Sequence, residues 1–423
     1  MTKISVITPL HEKGNQYIEE AMCSLQVQTF DDFEWIIVQN NGGIVPPEVA
    51  FYDKVQLHSI GGVNKIGALK AYACELAQGE IIVELDADDR LIHNALEEID
   101  KALCNDKVFF YSESFEINPD GSSHLYGPYY GWETATKDLN GKPQEYNLSF
   151  PVNPNSLRQI FWAPNHVRAW TKEAYDAIGG HDKDLEVGDD HDLIMRFYIA
   201  YGRAGFYQHK EPLYIYRVHP GNTFQEKAQK IAQQSWNNYD RHMHKILLRW
   251  AEDNKLLALD LGARFNPTEG MKSIDRLPPC DIMLDLSLDN QFGWGAIPNN
   301  SVGYIRASDF VEHMKDPIRF MNQAWRVLAP GGWLRIAVPS TDGRGAFQDP
   351  THVSFWNLNS FWYYTNAQYA KYIQPEFFGR FQVGKLIQGF PTEWHKENNI
   401  PYVYADLIVL KDNKPIGESL WPR

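Results

Sequence analysis

Short apolar runs alternate with amphipathic stretches along the first hundred residues. Ile4 to Thr8 has the continuous apolar character of a buried strand, and Ile18, Met22 and Leu25 then recur at helical spacing. A second apolar run, Trp35 to Val38, enters the turn sequence Asn40-Asn41-Gly42-Gly43, and Val55 to His58 predicts a third strand. A helix is expected from Lys65 to Ala77, stopping before Gly79, with a fourth strand from Ile81 to Leu85. Strands separated by helices need crossover connections, which predicts a parallel, doubly wound α/β sheet. Ligands of such sheets gather beyond the carboxyl ends of the strands.

From Asn118 to Asn155 the chain is rich in Gly, Pro, Tyr and Asn and reads as a long surface excursion with the character of a lid. Helical periodicity returns after Thr171 and from Asp190 to Tyr201. Gln225 to Lys255 carries few helix breakers and predicts linking helices. A second α/β pattern begins at Leu256, with strands expected at Leu256 to Asp260, Ile282 to Asp285, Val302 to Arg306 and Trp333 to Val338. The chain therefore divides into a first domain, 1–225, a helical linker, 226–254, and a second domain, 255–423.

A chain of 423 residues has room for two or three such domains and a sizeable core. Its 43% hydrophobic and 22% charged content excludes a disordered or fibrous chain. With 54 acidic against 40 basic side chains the net charge is −14, which opposes nonspecific attraction to nucleic acid, so no nucleic-acid partner is expected. No apolar run reaches the roughly 18 residues of a membrane span. MTKISVITPL enters a strand pattern directly, so no secretory leader is expected. Cys23, Cys74, Cys104 and Cys280 show no paired spacing, which suits a reducing, cytoplasmic setting.

The sharpest chemical feature is ELDADDRL, Glu84 to Leu91, where an apolar strand ends in Asp86, Asp88 and Asp89. Carboxylates delivered together to a sheet edge call for a counter-ion, and hard divalent cations take such oxygen ligands. A solvated turn with an Asp cap is the alternative. A second acidic cluster, GGHDKDLEVGDDHDL, places Asp189, Asp190 and Asp192 before an amphipathic helix, where capping and dipole chemistry is the competing explanation, and Asp192 in particular reads as a cap. In YIYRVHPGNT, His219 follows a strand; its imidazole is either structural or completes a metal sphere that carboxylates begin.

Taken in order, SVITPL, QTFDDFEWIIVQNNG, NKIGALKAYACELAQGEIIVELDADD, GGHDKDLEVGDDHDL and YRVHPGN resemble the family 2 glycosyltransferases of the GT-A fold, over about residues 3 to 225. The resemblance implies a nucleotide diphosphate sugar donor, UDP-linked in preference to GDP-linked, and a glycan or other hydroxyl acceptor. It places Pro9, His11, Glu12, Asn40, Asn41, Lys65, Asp86 and Asp88 around the donor. Gln39, Asn40 and Asn41 stand where the family usually carries an acidic residue. Mn²⁺ or Mg²⁺ is the implied cofactor, held by Asp88 and His219. Asp190 matches the general base of an inverting displacement, with Asp189 orienting the base or the acceptor. WAPNHVRAW lies where the family builds its acceptor site, which makes Trp162, His166 and Arg168 candidates; core aromatics beside a snorkelling Arg are the alternative.

In the second half, LLALDLGARFNPTEG, SID, DIMLDL, NSVGYIRASDFVEHMKDP and WRVLAPGGWLRIAVP resemble class I S-adenosylmethionine-dependent methyltransferases, a second Rossmann-like α/β domain. The resemblance implies S-adenosylmethionine near Asp260, Gly262, Asp275 and Asp285, with Asp275 on the ribose hydroxyls and Asp285 or Asp309 lining the adenine pocket. Pro330-Gly331-Gly332 reads as the turn before an apolar strand. Arg264 and Asn266, however, occupy positions where further glycines are common. GAFQDPTHVSFW, Gly345 to Trp356, is polar and aromatic enough for an acceptor or for a packed surface. The expectation is a bifunctional glycosyltransferase and methyltransferase; the rival is a methyltransferase whose first half only captures a glycan or nucleotide.

Overall fold

The computed structural model describes residues 2–104, 106–127, 131–159, 166–222 and 227–411. The chain forms two compact units that divide between Met243 and His244. That division falls inside one unbroken helix, Ala228–Asp253, so the expected linker is a single helix.

In the first unit, strands β1 (Ile4–Leu10), β2 (Phe33–Gln39), β3 (Val55–Ser59) and β4 (Ile81–Glu84) follow the predicted apolar runs. They pair in parallel, joined through helices α1 (Ile18–Gln26), α2 (Pro47–Ala50) and α3 (Ile66–Leu76). β1 and β2 are buried on both faces, which is why their sequences are continuously apolar rather than alternating. Beyond α4 (Ala95–Leu103) the sheet departs from the parallel expectation. Its order is β3-β2-β1-β4-β9-β6-β10-β5, and the short β9 (Arg168–Thr171) runs antiparallel to both β4 and β6 (Phe109–Ile117). β10 (Phe206–Arg217) pairs in parallel with β6 and antiparallel with β5 (Arg90–Leu91). A four-residue strand has too little periodicity to announce itself, and β9 is what makes the sheet mixed.

The excursion after β6 contains a hairpin, β7 (Thr134–Leu139) and β8 (Lys142–Asn147), turned by Asn140 and Gly141 at φ 55° and 81°. Asn-Gly supplies the two positive φ angles that such a turn requires. Helices α5 (Pro154–Gln159), α6 (Lys172–Ala177) and α7 (Asp189–Tyr201) complete the unit. Trp35, Trp170, Tyr111 and Phe109 are among the largest fully buried side chains, each contributing about 1.5–3 kcal/mol or more through removal from water.

The second unit is built on a seven-stranded sheet, β13-β12-β11-β14-β15-β17-β16. β11 (Leu257–Leu261), β12 (Lys272–Asp275), β13 (Ile282–Met283), β14 (Val302–Ser308) and β15 (Leu328–Pro339) are parallel, while β17 (Tyr402–Val409) is antiparallel to β15 and β16 (Phe381–Gly389). Pro330-Gly331-Gly332 lies within β15 instead of forming a separate turn. The register steps from Val302↔Leu328 to Tyr304↔Trp333, and Gly331 at φ 75° absorbs the extra residues as a bulge. Among the described residues no helix is long and apolar enough to cross a membrane.

Candidate functional site

In the first unit β1, β2, β3, β4, β6 and β10 all point their carboxyl ends to one edge of the sheet, and β9 starts there. Two aspartates and a histidine arrive at that edge from distant parts of the chain. Asp86 and Asp88 follow β4, and His219 follows β10. His219 Nε2 lies 2.8 Å from Asp88 Oδ2 across 131 residues of sequence, with Asn222 Nδ2 at 3.5 Å from the same oxygen. Gly221 N–H donates to His219 Nδ1 at 3.1 Å, which leaves the ring proton on Nε2 and directs it at Asp88. Asp89 is structural: its carboxylate accepts from Arg217 N–H at 2.7 Å and Tyr214 O–H at 2.9 Å.

A carboxylate oxygen and an imidazole nitrogen facing one another are suitable donors for Mn²⁺ or Mg²⁺. Among the described residues no third His, Cys, Asp or Glu donor joins this pair within 4.8 Å. The pair therefore offers two of the several ligands such an ion takes. His219 and Arg217 also border a cavity of about 480 Å³, with Tyr17 and Arg90, but Asp86, Asp88 and Asp190 do not line it.

Beneath this edge lies a buried charge cluster that sequence reasoning missed. Glu84, the last residue of β4, is 3% exposed and pairs with Lys70 Nζ at 2.9 Å and Arg168 Nε at 2.8 Å. Burial would raise the Glu84 carboxyl, but Arg168 and Lys70 outweigh it and bring it down to about 2. Arg168 reaches outward as well, its Nη1 donating to Asp190 Oδ2 at 2.6 Å and its Nη2 lying 3.3 Å from His166 Nε2. His166 stacks on Tyr214 with 4.8 Å between ring centres, and its Nε2 lies 3.8 Å from Asp86 Oδ2. A polar chain, Asp190–Arg168–His166–Asp86, thus spans the edge. The signal for it was Lys70, a charge set among the buried residues of α3.

Asp189 and Asp190 share the first turn of α7 but occupy different environments. Asp189 points inward, 5% exposed, with Oδ2 at 3.6 Å from both Lys70 Nζ and His181 Nε2; burial lifts its carboxyl to about 6. Such a position sets it back from the solvent edge at which Asp190 stands. Asp190 retains 29% of its side-chain surface, and against the effect of burial Arg168 and then Lys70 hold its carboxyl well below the usual carboxylate range. Asp192 is not a cap: it accepts from Arg196 Nε at 2.8 Å and lies 2.8 Å from His242 Nε2, fastening α7 to the long helix.

The remaining candidates lie around the same edge. Pro9 sits in β1 opposite Val38. His11 caps a short turn containing Glu12 by accepting from Lys13 N–H, and both are exposed. Asn40 and Asn41 both donate to the Val63 carbonyl, at 2.6 and 3.1 Å. Lys65 begins α3 and pairs with Asp184. Asp86 remains half-buried, its carboxyl raised by burial to about 6. Trp162 lies outside the described residues.

In the second unit Asp260 is buried and spent on structure. It accepts from Thr268 N–H at 2.9 Å and from Arg306 Nη1 at 3.0 Å, closing the loop after β11. Gly262 has φ 72°, and a Cβ there would fall 2.8 Å from the Phe310 ring. Asp275 and Asp285 each accept a backbone N–H two residues ahead, at 2.9 Å, and Asp309 accepts from Tyr402 O–H at 2.7 Å. The expected cofactor carboxylates thus make local turn and strand contacts.

Comparison with known proteins agrees with the two-part reading. Residues 5–162 match the family described as glycosyl transferase family 2, and residues 294–336 match a methyltransferase domain. The two matches fall on the first and the second unit in turn. It is 21% identical over 217 residues to the O-antigen biosynthesis protein RfbC of Myxococcus xanthus, a match covering 50% of this chain and only 15% of that protein. It is 24% identical over 252 residues to the putative glycosyltransferase EpsH of Bacillus subtilis (strain 168), covering 57% of this chain and 67% of EpsH. Among solved structures, S. aureus TarS 1-349 in complex with UDP-GlcNAc aligns with a TM-score of 0.43 and 16% identity, over 60% of this chain and 72% of that one.

Proposed function

We propose that the first unit transfers a sugar from a nucleoside diphosphate sugar, UDP-linked by preference, to a hydroxyl of a glycan-type acceptor, with inversion at the anomeric carbon. The observation that carries this is the meeting of Asp88 and His219 at the carboxyl edge of a sheet whose strands β1 to β6 lie within the match to the glycosyltransferase family.

Asp88 and His219 would hold Mn²⁺ or Mg²⁺, which when bound supplies a positive charge to the diphosphate. Since the ring proton now lies between Nε2 and Asp88, ligation by Nε2 requires its displacement. Asp190 is the proton acceptor. Arg168 keeps it ionised at neutral pH, and although its two oxygens accept from Arg168 and from His191 N–H, part of its side chain stays open to solvent. In the displacement the acceptor oxygen forms its bond to the anomeric carbon as its proton passes to Asp190. The bond from that carbon to the diphosphate oxygen breaks, and its electron pair leaves with the nucleotide. A carboxylate this acidic is a weak base for a resting alcohol, so transfer to Asp190 belongs late in the step, once the bond to carbon has acidified the hydroxyl. Pro9, His11, Asn40 and Asn41 border the base and ribose in this proposal, and the methyltransferase-domain match of residues 294–336 supports a methyl-transfer function for the second unit, with S-adenosylmethionine as the methyl donor.

Release of nucleoside diphosphate from a panel of sugar nucleotides, with and without Mn²⁺, tests the proposal. Asp190→Asn is expected to abolish transfer while leaving nucleotide binding nearly intact, and Asp88→Ala to remove the Mn²⁺ dependence of nucleotide binding. Full transfer by Asp190→Asn, or no nucleotide released from any donor, would overturn it. Labelled S-adenosylmethionine in the same mixture reports methylation of the product, and absence of label despite sugar transfer would remove the second activity.

A further inference from the structure

The second unit holds a cluster that none of the expected roles uses. Glu312 and His313 lie in the short turn after β14 (Val311–His313), and His352 comes from the loop after β15. One ligand atom from each of the three lies within 4.8 Å of the others. His352 Nε2 is 4.0 Å from Glu312 Oε1, and the two rings meet edge to face at 5.1 Å. The Glu312 side chain is 2% exposed, yet neither carboxylate oxygen has a hydrogen-bond partner among the described residues. A carboxylate buried without a partner costs several kcal/mol unless it is protonated or faces a cation.

Both imidazoles are prepared as ligands. His352 Nδ1 lies 2.9 Å from the Ala346 carbonyl and His313 Nδ1 lies 3.1 Å from the Thr351 carbonyl. A carbonyl accepts only, so the ring proton of each stays on Nδ1 and the Nε2 lone pair is left free. A backbone carbonyl holding the second nitrogen of a metal-bound histidine is the usual outer partner. The scaffold is fixed too, because the Glu312 carbonyl accepts from both Val353 and Ser354 N–H, at 2.8 and 2.9 Å. Tetrahedral bonds of about 2.0–2.1 Å place donors roughly 3.3 Å apart, so the side chains need to close by no more than about 1.5 Å.

We propose that Glu312, His313 and His352 form a site for a divalent transition-metal cation of the zinc class, with two imidazoles and one carboxylate as ligands and at least one open position. Two nitrogens and a single oxygen favour zinc, cobalt or iron over magnesium or calcium, and three protein ligands leave room for water or a ligand oxygen. The site stands at the carboxyl end of β14, the edge where ligands of such sheets bind. It shares no residue with the Asp88–His219 pair and adds a second imidazole to the donor set.

Titrating the full chain with Co²⁺ while recording its visible d–d absorption tests this. One equivalent is expected to bind with the intense bands of a low-coordinate nitrogen-containing site. His219→Ala should leave those bands unchanged. Glu312→Gln and His313→Ala should each weaken binding by more than the roughly 10- to 100-fold lost on removing an outer partner of a metal-bound imidazole. The His313 ring is half exposed, so His313→Ala keeps the test available if the Glu312 variant unfolds. Zn²⁺ should displace the cobalt. Absence of saturable cobalt binding, or affinity unchanged in both variants, would overturn the site; loss of the bands in His219→Ala would assign them to the first unit and overturn it equally.

Discussion

Glu84→Gln isolates the buried charge cluster, because it removes one charge while keeping the volume. Glu84 faces Lys70 at 2.9 Å and Arg168 at 2.8 Å with 3% of its surface exposed. At an effective dielectric of about 20 each pair is worth roughly 6 kcal/mol of attraction. Desolvation of the ions offsets much of that sum, but the substitution leaves Lys70 and Arg168 buried and short of a counter-charge. Breaking one side of a buried pair costs about 3–5 kcal/mol. Asp189 returns part of it. Its carboxyl stands at about 6, with Glu84 among the causes after burial. In the wild type the folded state therefore binds more protons at Asp189 than the unfolded state, and this group's contribution to stability declines as pH rises from about 4 to 6. In the variant Asp189 ionises more readily beside Lys70, and that decline flattens. The expected loss is about 2–4 kcal/mol, larger near pH 5 than near pH 7.5 by about 1 kcal/mol. Hydrogen exchange of β4 and β9 peptides measures it within the first unit, without interference from unfolding of the second. A loss below about 1 kcal/mol at both pH values, or a larger loss at the higher one, would refute the cluster's role.

Two further predictions concern stability. His181 and His191 are buried, and burial lowers them to about 3 and about 4, so they stay neutral in the fold where the unfolded chain would protonate. Their stabilising effect is complete above about pH 6.5 and is lost as pH falls toward those values, about 2 kcal/mol each by pH 5. Asp86 and Asp189, raised to about 6, gain stability over the same range and offset part of this. The fall in the first unit's opening free energy between pH 7 and 5, followed by exchange, should therefore be smaller by about 2 kcal/mol in His191→Gln than in the wild type, and an equal fall would contradict it. Gly262→Ala puts a Cβ 2.8 Å from the Phe310 ring at φ 72°, and should destabilise the second unit by about 1–3 kcal/mol, seen as a lower thermal midpoint; an unchanged midpoint would show that Phe310 yields freely.

β1, β2 and β4 were legible because they are buried on both faces and their sequences are mostly apolar. β9 was not, since four residues cannot display a period, and with it went the mixed sheet. The hairpin's Asn140-Gly141 was a readable turn signal, submerged in a stretch dominated by Gly, Pro and Tyr. Asp88, His219 and Asp190 could be named from the order of motifs, but not their neighbours' charge states. Those depend on partners far away in sequence: Glu84 on Lys70 and Arg168, Asp192 on His242, Asp260 on Arg306. The glutamate and two histidines of the second unit fell inside motifs read for cofactor and acceptor binding, and only folding brings the turn after β14 against the loop after β15.

The pair Asp189–Asp190 shows how the fold divides work between adjacent identical side chains. Both open α7, where the helix N-terminus favours negative charge, so position in the helix does not distinguish them. Arg168 does. Its fork takes Glu84 with one nitrogen and Asp190 with another, which fixes a permanent negative charge at the solvent edge. Asp189 turns inward, where burial lifts its carboxyl to about 6, so it titrates just below neutral pH. Two carboxyls driven in opposite directions by their surroundings are the pattern by which one site keeps a fixed base beside a tunable neighbour. Arg168→Lys offers a single point charge where the fork makes contact with three partners, so Glu84 and Asp190 cannot both be satisfied. Asp190 then drifts back toward an ordinary carboxylate, and the site loses the fixed charge on which the proposed proton transfer depends.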